Sequence, residues 1–176
     1  MIAETQDDAI EKAQKLLKAC RVNTVPTPLP KIAALLGIMV VEVELDDSTS
    51  GFLKRRGKNT RPVIAINKNH PVVRQRFTLA HELGHYVLHS LLPLHIDKAS
   101  VEFRKKSSSI AVDIKEVQAN RFAAELLMPQ NTLAQYLNGD FPPMDSEEAK
   151  KKISDLASTF NVSDQAMSIR IGGLLY

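Results

Sequence analysis

Two histidines and a glutamate stand at a spacing that can hold and use a metal ion: His81-Glu82-Leu83-Gly84-His85. On a helix that advances about 100° per residue, His81 and His85 lie roughly 40° apart and one turn along the axis, so both imidazoles reach one ion. Glu82 is turned about 100° from His81, at the edge of that face, where it can touch water on the ion without being forced to ligate. The chemistry open to such a set is metal-assisted hydrolysis. With 5 histidines in 176 residues, the pattern is expected by chance only about 0.01 times. Phe77, Ala80, Gly84, Val87, Leu88 and Leu91 form a separate apolar stripe that anchors the same helix in a core.

A catalytic zinc site takes three protein ligands and keeps one position open. His89 shares the angular face, but it sits about 12 Å beyond His81 along the axis, too far for one tetrahedral ion. It is expected behind the ligands or in packing. Glu116 is the better third ligand. On a second helix predicted over 113–128, Gln118, Arg121 and Glu125 collect on one side, while Glu116 and Asn120 lie opposite, among Ala119, Ala123 and Leu127. A carboxylate on an apolar stripe needs a cation, a metal or hydrogen-bond donors. Ala119 and Ala123, small and four apart, let this helix approach the histidine helix. Asn120 joins His89 as a candidate for supporting the ligands from behind. The competing reading pairs Glu116 with Arg74 or Arg76, and Asp113, about 60° away on the helix, is the fallback ligand.

Around these two helices the sequence predicts a small sheet. The helical spacing of Ala9, Ile10, Ala13, Leu16 and Leu17 gives an amphipathic helix over 9–19. Prolines at 26, 28 and 30 interrupt it, and a short helix to Leu36 is closed by Gly37. Strands follow at 38–45, 51–55 and 62–66, the last two flanking a Gly57-Lys58-Asn59 turn. The histidine helix runs from Val72 to about Leu91 and stops at Pro93. A further strand is expected at 100–106, then a mobile loop at Ser107-Ser108-Ser109. Beyond Pro129 come helices at 131–137, 146–160 and 163–174, with Phe141-Pro142-Pro143 as a linker. No internal repeat is present.

Composition narrows the setting. Apolar residues make up 44% of the chain and charged residues 24%, as in one globular domain with or without a small appendage. The longest apolar runs, such as Ile38-Met39-Val40-Val41, fall far short of the roughly 20 residues of a membrane helix, so no membrane partner is expected. The opening residues have no basic, apolar export signal. A single cysteine, Cys20, excludes a disulfide framework and a multi-thiolate zinc knuckle, and suits a cytoplasmic protein. The net charge of +3 is too small to name nucleic acid as a partner.

The stretches Arg76-Phe77-Thr78-Leu79-Ala80-His81-Glu82-Leu83-Gly84-His85, with Leu88-His89, and Glu116-Val117-Gln118-Ala119-Asn120-Arg121-Phe122-Ala123-Ala124-Glu125-Leu126-Leu127-Met128-Pro129 together resemble the ImmA/IrrE metallopeptidases. The resemblance spans roughly residues 26–129 and is strongest in the two helices. It implies zinc held by His81, His85 and Glu116, with Glu82 as the catalytic carboxylate. It also implies an endopeptidase whose substrate is a helix-turn-helix transcriptional repressor, cleaved to derepress mobile-element or stress-response genes.

The expected architecture is α+β: a small, mostly antiparallel sheet packed on a helical, zincin-like metal-binding core, with a helical C-terminal extension. Residues 1–140 form the metallopeptidase domain with its N-terminal helix, and 141–176 the extension. An extended peptide is expected to pair with a sheet edge supplied by 51–55 or 62–66. The basic set Lys54, Arg55, Arg56, Lys58 and Arg61 reads as a solubilising edge. Tyr86, Tyr136, Arg74 and His70 are offered as donors to the developing oxyanion, with no choice among them.

The alternative reading is a DNA-binding or toxin-like regulatory module with a structural metal. It rests on residues 156–170, similar to a helix-turn-helix with Ser163 as N-cap. From Ser163 onward only Arg170 is basic, whereas phosphate binding calls for several cations, so this segment is expected to pack on the core.

Overall fold

A computed structural model describes residues 6–55, 61–89, 94–98, 110–137 and 141–175. Within them the chain forms seven helices and four strands, in the order α1 (Gln6–Ala19), α2 (Leu29–Leu35), β1 (Met39–Val43), β2 (Thr49–Lys54), β3 (Val63–Asn67), α3 (Val72–Leu88), β4 (Leu94–Lys98), α4 (Ile110–Leu127), α5 (Gln130–Leu137), α6 (Glu147–Phe160) and α7 (Asp164–Leu175). This is the α+β architecture read from the sequence. No helix among the described residues is long and apolar enough to cross a membrane.

The sheet order is β1-β3-β2-β4. β3 runs parallel to β1 and antiparallel to β2, and β4 is antiparallel to β2, so two of three pairings are antiparallel. Strand alternation sends Leu53, Ile64 and Ile66 to the face that meets α3, where Leu79, Ala80 and Leu83 are buried with them. Gly51 allows this contact: a Cβ there would stand 2.7 Å from Thr78 Cγ2, closer than two carbons can pack.

β2 and β3 lie inside the sheet, so they cannot offer the free edge the sequence suggested for a bound peptide. Among the described residues the edges are β1 and β4. β4 itself occupies residues left without an element by the sequence reading, whose next strand, 100–106, and whose serine loop at 107–109 lie outside the described residues.

α4 is packed between α1 and α3, and both sides of it contribute buried residues, including Ala119, Phe122, Ala123 and Leu126. α1 meets it with Ala9, Ala13 and Leu17, a stripe at four-residue spacing. The last two helices are both capped by serines, of which Ser163 is the N-cap read from the sequence. Ser146 Oγ accepts from the Ala149 N–H at 3.1 Å, and Ser163 Oγ from the Ala166 N–H at 3.1 Å. Phe160, Met167 and Ile171 belong to the common core. Arg170, the cation of α7, donates to the buried Glu125 carboxylate and, at 3.1 Å, to Met128 O. Arg76 of α3 ties two distant bends together, donating to Thr27 O and Asn161 O at 3.1 Å each.

Candidate metal centre

The middle of α3 carries His81, Glu82 and His85, which are 3%, 0% and 0% exposed. Their burial follows from the helix being covered by the sheet on one side and by α4 on the other. α4 comes very close because Gly84 faces Ala119. A Cβ on residue 84 would lie 3.1 Å from Ala119 O and 3.2 Å from Ala119 Cα.

That approach brings Glu116 to the imidazole pair. Its Oε2 is 3.3 Å from His81 Nε2, and its Oε1 is 3.3 Å from His85 Nε2. The two Nε2 atoms are 3.0 Å apart. A tetrahedral ion with bonds of about 2.0–2.1 Å separates neighbouring donors by roughly 3.3 Å, so the three groups are spaced as ligands of a single ion.

The hydrogen bonds point the same way. Asn120 Oδ1 lies 2.9 Å from His81 Nδ1. It accepts that ring's N–H and leaves the Nε2 lone pair aimed at the cluster. His85 Nδ1 is buried without a hydrogen-bond partner among the described residues, while its Nε2 faces that of His81. Two rings that turn nitrogen towards nitrogen are better served by a cation between them than by each other.

The sequence reading missed His95. β4 delivers it to the same point: Nε2 is 2.9 Å from Glu116 Oε1, and Nδ1 is 3.0 and 3.1 Å from the two oxygens of Glu82. Its ring stacks on His85, with centroids 3.6 Å apart and planes inclined by 25°. His81, His85, His95 and Glu116 each present a donor atom within 4.8 Å of the others. The signal was there in the alternation Leu94-His95-Ile96-Asp97, which turns His95 and Asp97 to one face of a strand and the two apolar residues to the other.

Burial raises the Glu82 carboxyl, and His95 draws it partly back. Burial also dominates at His85, pushing it down to about 3. At His95 burial opposes the charge, but the hydrogen bonds with Glu116 and Glu82 outweigh it and raise the group to about 10. His81 follows the same balance, raised against burial by Glu116 and neighbouring carboxylates. Glu116 is pushed up by burial, yet its contacts with three imidazoles prevail and hold it far below the ordinary carboxylate range.

Other candidates are engaged elsewhere. His89 caps α3, its backbone N–H bonding His85 O at 3.0 Å and its Nε2 lying 3.2 Å from Lys115 O. Its ring stands 5.3 Å from that of His85, packed beside the cluster. Arg74 donates to Ser50 Oγ and Arg76 to the backbone, so the arginine pairing of Glu116 is not observed. The Asp113 side chain is outside the described residues. Among the proposed oxyanion donors, Tyr86 lies under the Arg55 guanidinium at 4.4 Å, His70 Nε2 is 3.3 Å from Asp47 O, and Tyr136 meets Phe160 edge to face. Arg55 also departs from the solubilising role. It folds onto the end of α3 and donates to His85 O and Tyr86 O.

Comparison with known proteins places this geometry in context. The family model Peptidase_M78, described as the IrrE N-terminal-like domain, matches residues 33–172. Metallopeptidase ImmA of Bacillus subtilis (strain 168) is 30% identical over 127 residues, covering 72% of this chain and 66% of its own length. Immunity region protein 2 of Bacillus phage phi105 is 35% identical over 111 residues, covering 63% of this chain and 65% of its own. The match thus spans just under two thirds of each relative. A Mycobacterium tuberculosis transcriptional regulator shares the fold, with a TM-score of 0.60 at 19% identity over 92% of this chain and 45% of that one.

Proposed function

The chain belongs to the ImmA/IrrE family of metallopeptidases, and on that premise we propose that it is a cytoplasmic, zinc-dependent endopeptidase that cleaves a helix-turn-helix transcriptional repressor. The observation that carries this reading is the convergence of His81, His85 and Glu116, at donor separations of 3.0–3.3 Å, beside the buried carboxylate of Glu82.

His81, His85 and Glu116 would hold the ion. Nitrogen and carboxylate donors without thiolates suit zinc as a hydrolytic metal. When bound, zinc supplies Lewis acidity, polarising the scissile carbonyl and making water acidic near neutral pH. Asn120 orients the His81 ring through Nδ1 and so would leave Nε2 to the ion. Glu82 takes a proton from the attacking water on a carboxylate oxygen and passes it to the nitrogen of the leaving amine, so water is split across the C–N bond with no net proton change. Its burial raises its basicity and suits it to that task. β4, the sheet edge that carries His95, is the strand beside the cluster on which an extended peptide can align.

The DNA-binding alternative draws little support, since the only cation of α7, Arg170, is committed to Glu125 and Met128. Co-expression with the repressor encoded nearest the gene, comparing the native chain with Glu82→Gln, tests the proposal. A new repressor fragment with the native chain and none with Glu82→Gln is expected. A fragment that persists with Glu82→Gln removes the assigned role.

A further inference from the structure

Three ligands suffice for the reaction just proposed, yet the chain brings a fourth donor to the same point. We infer that His95 is an additional metal ligand, which closes the resting centre and restrains Glu82 until the imidazole moves away. The inference rests on the metal-dependent reading above and concerns how that site is regulated.

The position of His95 is set by the sheet. It pairs with Leu53, a fully buried core residue of β2, which fixes its backbone and turns its ring towards α3. There the ring is only 13% exposed and stacks on His85. Its two nitrogens have the two environments that a ligating histidine requires. Nε2 faces the donor cluster, while Nδ1 faces a carboxylate, the usual outer partner that orients a metal-bound imidazole. That carboxylate is Glu82, with both oxygens within 3.1 Å.

One side chain therefore controls two functions. With Nε2 on the ion, three imidazoles and one carboxylate complete a four-ligand set, the closed arrangement of a structural rather than a catalytic site. With Nδ1–H shared between both Glu82 oxygens, the proton acceptor is occupied as well. Departure of His95 opens the fourth position and frees the base together. The carrier of His95 is the element best able to move. Among the described residues β4 is a five-residue edge strand joined to the sheet through β2 alone, and its register shifts between Thr49 and Gly51. The other ligands sit on helices of 17 and 18 residues packed on each other. Short edge elements open at lower free energy than such a core.

X-ray absorption on the zinc-loaded chain counts the imidazoles, and azide added to the cobalt-loaded chain reports an open position through its visible spectrum. Three imidazoles and an azide-insensitive spectrum are expected for the native chain. His95→Ala is expected to show two imidazoles, an azide-dependent spectral shift and zinc affinity lower by roughly tenfold or more. Two imidazoles, or an azide response, in the native chain overturns the inference and leaves the metal-dependent reading standing. A native chain that takes up no zinc, indistinguishable from His81→Ala, overturns both. The native measurements decide the matter whether or not His95→Ala folds.

Discussion

Gly84 and Ala119 bring α3 and α4 so close that a Cβ at residue 84 would lie 3.1 Å from Ala119 O and 3.2 Å from Ala119 Cα. The distance from Glu116 to the histidine pair depends on that contact. Gly84→Val is therefore expected to cost roughly 1–3 kcal/mol through overpacking and to weaken zinc binding by separating the ligand-bearing helices. Thermal melting and chelator competition on the same preparation check both effects. Unchanged zinc affinity in a destabilised variant would show that Glu116 follows the imidazoles by another route.

Asn120 accepts from the Nδ1 side of His81 and would hold that ring in place without itself touching the ion. Asn120→Ala is expected to lower zinc affinity by roughly 10–100-fold, with helical content unchanged by circular dichroism. Asn120→Asp keeps an acceptor opposite His81 Nδ1 and is expected to recover most of the loss.

Removing the metal separates ligands from base. Zinc at a hundred times its dissociation constant adds about 2.7 kcal/mol to stability by mass action. Urea unfolding with and without chelator should show this increment in the native chain and in Glu82→Gln. His81→Ala should lose it. Loss of the increment in Glu82→Gln would make Glu82 a ligand instead of a proton acceptor.

The ion pair between Arg170 and Glu125 joins α7 to α4 at side-chain exposures of 12% and 1%. Arg170→Ala leaves the buried carboxylate to neutral donors such as Gln14 and the Gln130 N–H, and is expected to cost about 3–5 kcal/mol. Replacing both partners with apolar residues of similar volume should recover most of that in urea unfolding, since no charge then remains buried.

What the sequence disclosed followed from periodicity within single helices. The spacing of His81, Glu82 and His85, and the odd position of Glu116 and Asn120 on an apolar stripe, point these five groups to one place. What it concealed came from contacts between distant segments. Glu125 reads as solvent-facing beside Gln118 and Arg121, yet it is buried, because α1 and α7 cover that side of α4 and supply Gln14 and Arg170. His95 escaped notice because five alternating residues are a weak strand signal. The wrong sheet edge was chosen because strand order depends on β3 reaching back to pair with β1, a partnership no local pattern encodes. Arg55 looked like one of several surface cations, but its half-buried position over Tyr86 depends on where α3 ends.

The guanidinium of Arg76 acts as a clasp. It fastens the loop at Thr27 and the bend at Asn161 to the same rod that bears both imidazoles, little more than one turn before His81. Segments more than 130 residues apart in sequence are thereby moored to the helix that carries the imidazole pair.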